Sequence, residues 1–182
     1  MTSTFLLEIG TEELPADFAC QALDQLQERV GRDLRDSRLD HESVQVLGTP
    51  RRLVVRVHGL ADRQPDLEED RKGPPVAQAF KDGVPGPAAI GFAKRCGVDP
   101  SQLEVRDTPK GECVFASVRT DGQNSVDLLQ ELIPTWINGL QGRRFMRWGT
   151  GSQRFSRPIR WLLALKGVDL IPVEIPGADP PV

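Results

Sequence analysis

Apolar positions near the N-terminus change from a continuous run to helical spacing. Phe5–Ile9 is a short apolar run of the kind that forms a buried strand, and Gly10-Thr11 is predicted to end it. From Asp17 to Leu39, apolar residues recur about every four positions with charged residues between them, which predicts a long amphipathic helix. Pro15 suits the first turn of this helix, because an N–H there has no intrahelical partner.

Alternating apolar and polar residues, bounded by turn residues, predict three hairpins farther along the chain. They join Val44–Leu47 to Leu53–Val57, Leu103–Arg106 to Cys113–Arg119 and Ile159–Leu165 to Leu170–Ile175. In the first hairpin, Val55 and Val57 are expected to face the core, and Arg56 and His58 to face solvent. Few β-α-β crossovers are needed, so the expected class is α+β, with largely antiparallel or mixed sheets and helices packed on one face.

The middle of the chain is predicted to hold short helices between loops. Asp62–Gly73 is polar and acidic, which favours a solvated loop or hinge. Val76–Phe80 has helical spacing, and Ala88–Cys96 is predicted to be a helix ended by Gly97 in the left-handed conformation. The chain then divides into a strand–helix–strand–strand unit (1–60), a loop-rich helical connector (61–100) and a hairpin–helix–hairpin unit (101–182), forming one domain or two.

A further helix is predicted between the second and third hairpins. Asn124 or Ser125 is expected to cap it, since both side chains can accept a hydrogen bond from a free backbone N–H. Its apolar face begins at Val126 and continues to Trp136. Pro134 is predicted to end or kink the helix, because proline removes an interior hydrogen bond.

Composition limits the class of protein. The 182 residues are 38% hydrophobic and 27% charged, which is typical of a globular chain with a core. No apolar run approaches the roughly 20 residues that span a bilayer, and the N-terminal stretch lacks the basic leader of a signal peptide. The histidines and cysteines have no metal-ligand or C-x-x-C spacing. We therefore expect buried free thiols at Cys20, Cys96 and Cys113, a reducing cytosol and no metal site.

Positive charge is concentrated in Arg143–Trp161, called here the basic segment. No Asp or Glu occurs from Leu132 through Val168, and with Lys166 that window holds seven cations; the whole chain is −3, so the rest carries −10. Such a concentration is typical of a protein with an anionic partner. The alternative, a solvated loop whose arginines pair with carboxylates of the fold, stays open. The candidate tRNA contacts are Arg143, Arg144, Arg147, Arg154, Arg157 and Arg160, with Arg51 and Arg52 at the first hairpin turn.

Aromatic residues lie between these arginines and have two possible roles. The planar fork of arginine donates two parallel hydrogen bonds to a phosphate, and aromatic rings stack on unpaired bases. The same rings can instead anchor the loop to the core. We expect Trp161 and Met146 to lie inside and several arginines to lie outside.

Glu12-Glu13 is the other pair of residues with potential chemistry. Two acids at a strand-to-helix turn can complement the positive end of a helix, which is the interpretation favoured here. They can also bind a metal or act in acid–base catalysis. An independent enzyme has little support, because no nucleophile, base or metal partner completes such a site.

Motifs spread over nearly the whole chain resemble one family. They are FLLEIGTEELP (5–15), TPRRL (49–53), KGPPVAQAF (72–80), GFAKRCGV (91–98), KGE (110–112), MRWG (146–149) and FSRPIRWLLAL (155–165). In this order they resemble the N-terminal region of the beta subunit of the bacterial heterotetrameric glycyl-tRNA synthetase.

The resemblance implies a role in an assembly of two alpha and two beta subunits in the cytoplasm, which joins glycine to tRNA(Gly) using ATP with Mg. It implies that the alpha subunit carries the catalytic core and the ATP site, whereas the beta subunit handles tRNA and assembly. Expected partners are the alpha subunit, tRNA(Gly) and the remainder of the beta subunit, with no membrane. This chain would then be an N-terminal piece with no catalytic residue and no cofactor, inactive alone. The alternative is a docking scaffold without direct tRNA contact.

Overall fold

The computed structural model describes residues 2–81, 83–109 and 111–178, and its contacts group the chain into two units. The first unit joins both ends of the chain, Met1–Gln64 and Gln123–Val182, and the second is Pro65–Gly122. The first unit begins with β1 (Thr2–Thr11), α1 (Ala16–Asp36), β2 (Ser43–Thr49) and β3 (Arg52–Ala61). The second contains β4 (Leu67–Pro75), α2 (Val76–Ala79), β5 (Phe80–Lys81), β6 (Val84–Pro85), α3 (Pro87–Cys96), β7 (Glu104–Arg106) and β8 (Cys113–Thr120). The first unit resumes with α4 (Ser125–Asn138), β9 (Met146–Arg147), β10 (Arg154–Phe155), β11 (Ile159–Lys166) and β12 (Asp169–Leu170).

Strand β1 is the centre of the first unit. The sheet has the order β12-β11-β1-β3-β2, and every neighbouring pair in it is antiparallel. Alternate residues of β1, namely Phe5, Leu7 and Ile9, are fully buried under α1 and α4. The α+β class with antiparallel sheet and helices on one face is confirmed.

The opposite side of this sheet, called here the open face, is also rich in apolar residues. In the register of β1 with β3 and β11, Leu6, Glu8 and Gly10 point away from the buried set and share their face with Val54, Leu163 and Trp161. Trp161 is 40% exposed. Within the described part of the first unit, neither α1 nor α4 packs on this face.

Helix α4 confirms the predicted cap and excludes one of the two outcomes, an end or a kink, that were predicted at Pro134. Asn124 is the cap, and its side-chain oxygen accepts a hydrogen bond from the Val126 N–H at 2.9 Å. The helix does not end before Trp136; it continues through Pro134 to Asn138. Ile133 and Trp136, on either side of the proline, are fully buried. Their burial opposes the roughly 3 kcal/mol that an interior proline costs.

The second unit has its own small core and its own sheet, with strand order β4-β8-β7. The prediction of a loop at Asp62–Gly73 was wrong, because most of it is β4. The pattern hid this strand because its side chains are mostly exposed and polar on both faces. Backbone pairing with β8 and ion pairs hold it instead, among them the pair of Asp70 on β4 with Arg106 on β7.

The division into two units differs from the three segments that the sequence pattern outlined. Strand β11 pairs with β1, Leu7 lying opposite Ala164, so the two ends of the chain share one sheet. The Gln64 N–H donates to the Gln123 carbonyl at 2.9 Å where the chain leaves and re-enters the first unit. Pairings over such a separation have no local signature, since both strands look like ordinary hairpin strands.

The ends of two strands also differ from those predicted. Strand β1 continues through Gly10 to Thr11 instead of ending before them, and the second strand of the last hairpin is only Asp169–Leu170. The hairpin of β7 and β8 is confirmed, although Lys110 in its turn lies outside the described residues. Gly97 ends α3 with a φ of 71°, as predicted. No helix in the described residues is long and apolar enough to cross a membrane.

Candidate functional site

Three phenylalanines fix the basic segment to the start of α1. The ring of Phe18 on α1 lies 5.5 Å from the ring of Phe155 and 5.7 Å from that of Phe145, both edge-on. Phe155 is fully buried. Edge-to-face aromatic packing adds to the free energy of burial. Phe145 and Phe155, which lie on either side of Arg147 and Arg154 in the sequence, therefore hold this part of the segment near the N-terminus of α1.

The expected anchors, Met146 and Trp161, are not inside. Met146 is 42% exposed and Trp161 is 40% exposed, so that prediction was wrong. Trp161 instead lies flat on the open face, opposite Gly10, where a Cβ atom on residue 10 would overlap the indole ring. The lack of a side chain at Gly10 is what lets the indole rest on the β1 backbone.

Polar side chains of α1 hold the loop that leads into the basic segment. Gln25 makes two hydrogen bonds with the Gln141 backbone, donating to its carbonyl at 3.1 Å and accepting from its N–H at 2.7 Å. Arg29 donates to the Gly139 carbonyl at 2.9 Å. The sequence analysis missed this role of Gln25 and Arg29, because nothing local distinguishes them from other polar residues on the exposed side of a helix.

Strands β9 and β10 place two arginines directly opposite each other. In this antiparallel pair Arg147 faces Arg154, while Met146 faces Phe155. Like charges directly opposite in a sheet repel and destabilise the pair. Both arginines are exposed, and neither forms an ion pair with a described carboxylate. An external anion between them would relieve this repulsion.

Three further arginines surround a small pocket at the N-terminus of α1. Arg143, Arg144 and Arg157 line it with Pro15, Asp17, Phe18 and Ser156, and its volume is about 440 Å³. The positive end of the α1 dipole adds to the field of these arginines. The N-cap residue, Pro15, contributes no side-chain hydrogen bond there. Asp17 opposes this field, although one carboxylate oxygen accepts the Phe18 N–H at 2.9 Å. None of the three arginines has an ion-pair partner within residues 2–81, 83–109 and 111–178.

Arg157 is shared with a second and larger cleft. That cleft has a volume of about 770 Å³ and lies between the start of α1 and the turn that joins β2 to β3. Leu14, Ala19 and Pro50 are among the apolar residues of its wall, and Glu13 adds one carboxylate. Arg157 therefore marks the point where the basic pocket opens onto an apolar surface.

The remaining three candidates are paired within the fold. Arg160 lies 3.4 Å from Glu12, Arg51 lies 3.7 Å from Glu13, and Arg52 lies 3.5 Å from Glu8. Arg52 also lies over the Trp161 ring, 5.8 Å from its centre. For these three, the interpretation as solvated arginines paired with carboxylates describes the structure.

The structure differs from two expectations about charge, one for Glu12-Glu13 and one for Lys166. Glu12 and Glu13 precede the first turn of α1, where Asp17 is the acidic residue, and they face arginines instead of free helix N–H groups. Lys166 does not extend the basic surface, because its side chain is only 8% exposed and it pairs with Asp62. That pairing, through the hydrogen bond from Lys166, holds the pKa of Asp62 below its ordinary value.

The thiols also differ from expectation at one position. All three cysteines are free, and Cys96 and Cys113 are buried, but Cys20 is exposed on α1. Among the described residues, no group of three or more His, Cys, Asp or Glu side chains is arranged to hold a metal ion.

The comparisons with known proteins agree with the motifs. A family model described as glycyl-tRNA synthetase beta subunit matches residues 5–180. The chain belongs to this family. The motif-based resemblance is thereby confirmed.

Individual relatives carry the same name and are much longer than this chain. The glycine–tRNA ligase beta subunit of Synechocystis sp. is 53% identical over 172 residues, which cover 94% of this chain and 24% of the relative. The corresponding subunit of Moorella thermoacetica is 44% identical over 178 residues, covering 97% of this chain and 26% of the relative. That of Coxiella burnetii is 40% identical over 177 residues, with the same coverage of 97% and 26%. The chain thus spans about a quarter of the length of these relatives.

Proposed function

We propose that this chain contacts the phosphate backbone of tRNA through five arginines, as part of a glycine–tRNA ligase. The five are Arg143, Arg144, Arg147, Arg154 and Arg157. The observation that carries the proposal is the cross-strand pair of Arg147 and Arg154, which repel each other and face no described carboxylate. Because the chain belongs to the glycyl-tRNA synthetase beta subunit family, the anion proposed is tRNA.

The geometry favours backbone contact over base recognition. The rings of Phe145 and Phe155 are engaged with Phe18, so neither is free to stack on a base. Arginines bind phosphates through their planar fork and stay charged at any physiological pH. The contact would position tRNA on the subunit, and recognition of its sequence would come from elsewhere in the enzyme.

In the whole enzyme, this chain would supply no catalytic group. Family membership supports a partner alpha subunit. We propose in addition that this partner uses ATP with Mg, and that the enzyme is cytoplasmic with two copies of each subunit. Glu12 and Glu13 already pair with Arg160 and Arg51, which argues against an acid–base role for them. By itself the chain would not attach glycine to tRNA.

The salt dependence of tRNA binding tests the contact. The 182-residue chain should bind tRNA with an affinity that falls steeply with salt, because bound phosphates release counterions. The double change Arg147→Gln and Arg154→Gln should lower the affinity and reduce the salt slope by about 1 per lost phosphate contact. The control is Arg35→Gln with Lys81→Gln, which removes two exposed cations outside the basic segment.

Two results would contradict the proposal. One is an affinity that does not change with salt, and the other is a control pair that weakens binding as much as the Arg147 and Arg154 pair. In the complete enzyme, the same changes should raise the KM for tRNA and leave tRNA-independent activation of glycine by ATP unchanged. A loss of glycine activation would indicate a role in the catalytic centre instead.

The open face supports a second function, the docking of protein. Leu6, Val54 and Leu163 are partly exposed there, next to Trp161 and to Leu47, which is 49% exposed. Exposed apolar residues grouped on one face of a sheet are typical of an interaction site, and here they surround the charged residues Glu8, Arg52 and Arg56 of the same face. Because the chain spans about a quarter of its relatives' length, the occupant proposed is a later part of the same beta subunit.

A charge on the open face separates docking from tRNA contact. Leu163→Lys should leave the unfolding temperature of the 182-residue chain nearly unchanged, since the side chain is partly exposed. In the full-length beta subunit it should lower the unfolding temperature while tRNA affinity stays the same. Normal stability of the full-length subunit with loss of alpha-subunit binding would assign the face to the alpha subunit. No effect in any assembly would eliminate the docking role.

A further inference from the structure

The second unit contains a basic cleft that lies outside the candidate site. Its volume is about 700 Å³, and Arg71, Lys72 and Arg95 line it together with Gly73, Pro74 and Phe92. No carboxylate belongs to the described residues of its wall. The sequence analysis found no ligand site here, because Arg71 and Arg95 lie in two separate stretches of the sequence.

Local backbone geometry brings these two stretches together. The pairing of β4 with β8 shifts between Lys72 and Pro75, so the strict alternation of side chains is interrupted just after Arg71 and Lys72. Gly73 then lies against Phe92 of α3, and a Cβ atom at Gly73 would come within 2.6 Å of the Phe92 ring. This close approach sets the last turn of α3, which carries Arg95, beside Arg71 of β4, whereas the Lys72 side chain lies on the other face of the strand, toward Thr108.

The cations of the cleft are poorly neutralised, although the unit as a whole is acidic. Residues 65–122 contain eight Lys and Arg against ten Asp and Glu, a formal charge of −2. Arg106 and Arg119 engage several of these acids: Arg106 lies 2.7 Å from Glu104 and also pairs with Asp70, while Arg119 pairs with Asp66.

The cations of the cleft have weaker partners. Arg71 lies 4.0 Å from Glu69, at the limit of an ion pair, and Lys72 lies 3.5 Å from the Thr108 hydroxyl. Arg95 has no ion pair with the described residues. The C-terminal end of the α3 dipole is favourable for Arg95, but it does not account for a second guanidinium group, that of Arg71, at the same cleft.

We propose that this cleft binds a phosphate group. The guanidinium groups of Arg71 and Arg95 can together donate several charge-assisted hydrogen bonds to a phosphate dianion. The buried ring of Phe92 and the backbone at Gly73 form an uncharged floor. The phosphate belongs either to a nucleic-acid backbone or to a small phosphorylated molecule. The site is independent of the basic segment and does not rest on the proposed function.

Titration of the whole 182-residue chain, labelled with ¹⁵N, tests the proposal. Inorganic phosphate is added at constant ionic strength while the Gly73 amide and the Arg95 side-chain N–H signals are followed. We expect saturable shifts at both, and Arg95→Gln should weaken binding by roughly tenfold, the effect of losing a charged hydrogen bond. Lys81→Gln is the matched control, since it removes an exposed cation of the same unit that does not line the cleft.

Competition identifies the source of the phosphate. Transfer RNA and ATP are each added to phosphate-loaded protein that carries Arg147→Gln and Arg154→Gln, so that the basic segment does not dominate tRNA binding. Displacement by tRNA assigns the site to a nucleic-acid backbone, and displacement by ATP alone assigns it to a small molecule; both support the proposal. Shifts that do not saturate, equal effects of Arg95→Gln and Lys81→Gln, or displacement by poly-glutamate but not by either phosphate compound would overturn it. Failure here leaves the salt test of the basic segment unaffected.

Discussion

The arginines of the first unit fall into two groups that differ in what faces them. In the first group, Arg51, Arg52 and Arg160 each face a glutamate that lies on β1 or in the turn after it. On the basic segment, Arg147 faces only Arg154, and the arginines of the neighbouring pocket have no described carboxylate partner. The first group contributes its charge to intramolecular contacts, whereas the second leaves its charge available to a partner. Substitution should therefore separate the groups, since one change affects stability and the other affects binding.

The largest effect is expected where the basic segment joins the core. Phe155→Ala should lower the free energy of unfolding by about 3–5 kcal/mol, because it removes a fully buried ring packed on Phe18. Denaturant unfolding measures this. Met146→Ala, at the residue directly opposite in β9, is the control and should have a much smaller effect because Met146 is exposed. Equal losses for both would mean that Met146 anchors the segment after all.

A smaller loss of stability is expected near Arg52, one of the arginines that are paired within the fold. Gly10→Ala should destabilise the protein by about 1–3 kcal/mol, because the new methyl group overlaps the Trp161 indole that supports Arg52. The fluorescence of Trp161 should shift as the ring moves. In a double-mutant cycle, Trp161→Ala should remove most of the cost of Gly10→Ala. Strictly additive losses would show that the two residues do not interact.

Acid pH tests the ion pair of Lys166 with Asp62, in which the lysine side chain is buried. The hydrogen bond from Lys166 lowers the folded-state pKa of Asp62. Its stabilisation is therefore fully present above the ordinary carboxyl pKa and is lost as the pH falls through the lowered value. Asp62→Asn should reduce stability at neutral pH and flatten the acid side of the stability profile. Glu131→Gln, an exposed change on α4, should leave the profile unchanged.

The cross-strand pair should respond in the opposite direction from the core residues. Arg147→Gln should raise the free energy of unfolding slightly, by about 0.2–1 kcal/mol, since it relieves a like-charge contact with Arg154. The same change should weaken tRNA binding. Thermal unfolding at low and high salt checks the sign, because screening should erase the gain. A loss of stability at low salt would mean that the two arginines share an anion from the chain itself.

The smallest effects are expected at the exposed ion pairs. Arg51→Gln and Arg160→Gln should each change the free energy of unfolding by less than about 1 kcal/mol, as is typical of solvent-exposed pairs. Neither should alter the salt slope of tRNA binding. A clear drop in tRNA affinity for Arg160→Gln would show that an arginine paired within the fold also contacts tRNA, and Arg160 would then belong to the second group.

Local pattern was sufficient for several elements. Helix α1, the hairpin of β2 and β3, the Asn124 cap and the Gly97 turn were all predicted, because each depends on residues close together in the sequence. Strand β4 was missed, since it is held by backbone pairing and ion pairs and not by an apolar face. Met146 and Trp161 of the basic segment were expected to be buried, but both are exposed.

The sequence by itself determined the α+β class, the family and the concentration of arginine near residue 150. Charge content and motif order are properties of the linear chain, so no fold is needed to see them. Only the tertiary structure decided which arginines have partners. Pairing of β11 with β1 brought Arg160 to Glu12, and pairing of β9 with β10 set Arg147 against Arg154. Ion pairs depend on distances of a few ångströms between residues far apart in sequence, and the fold alone sets those distances.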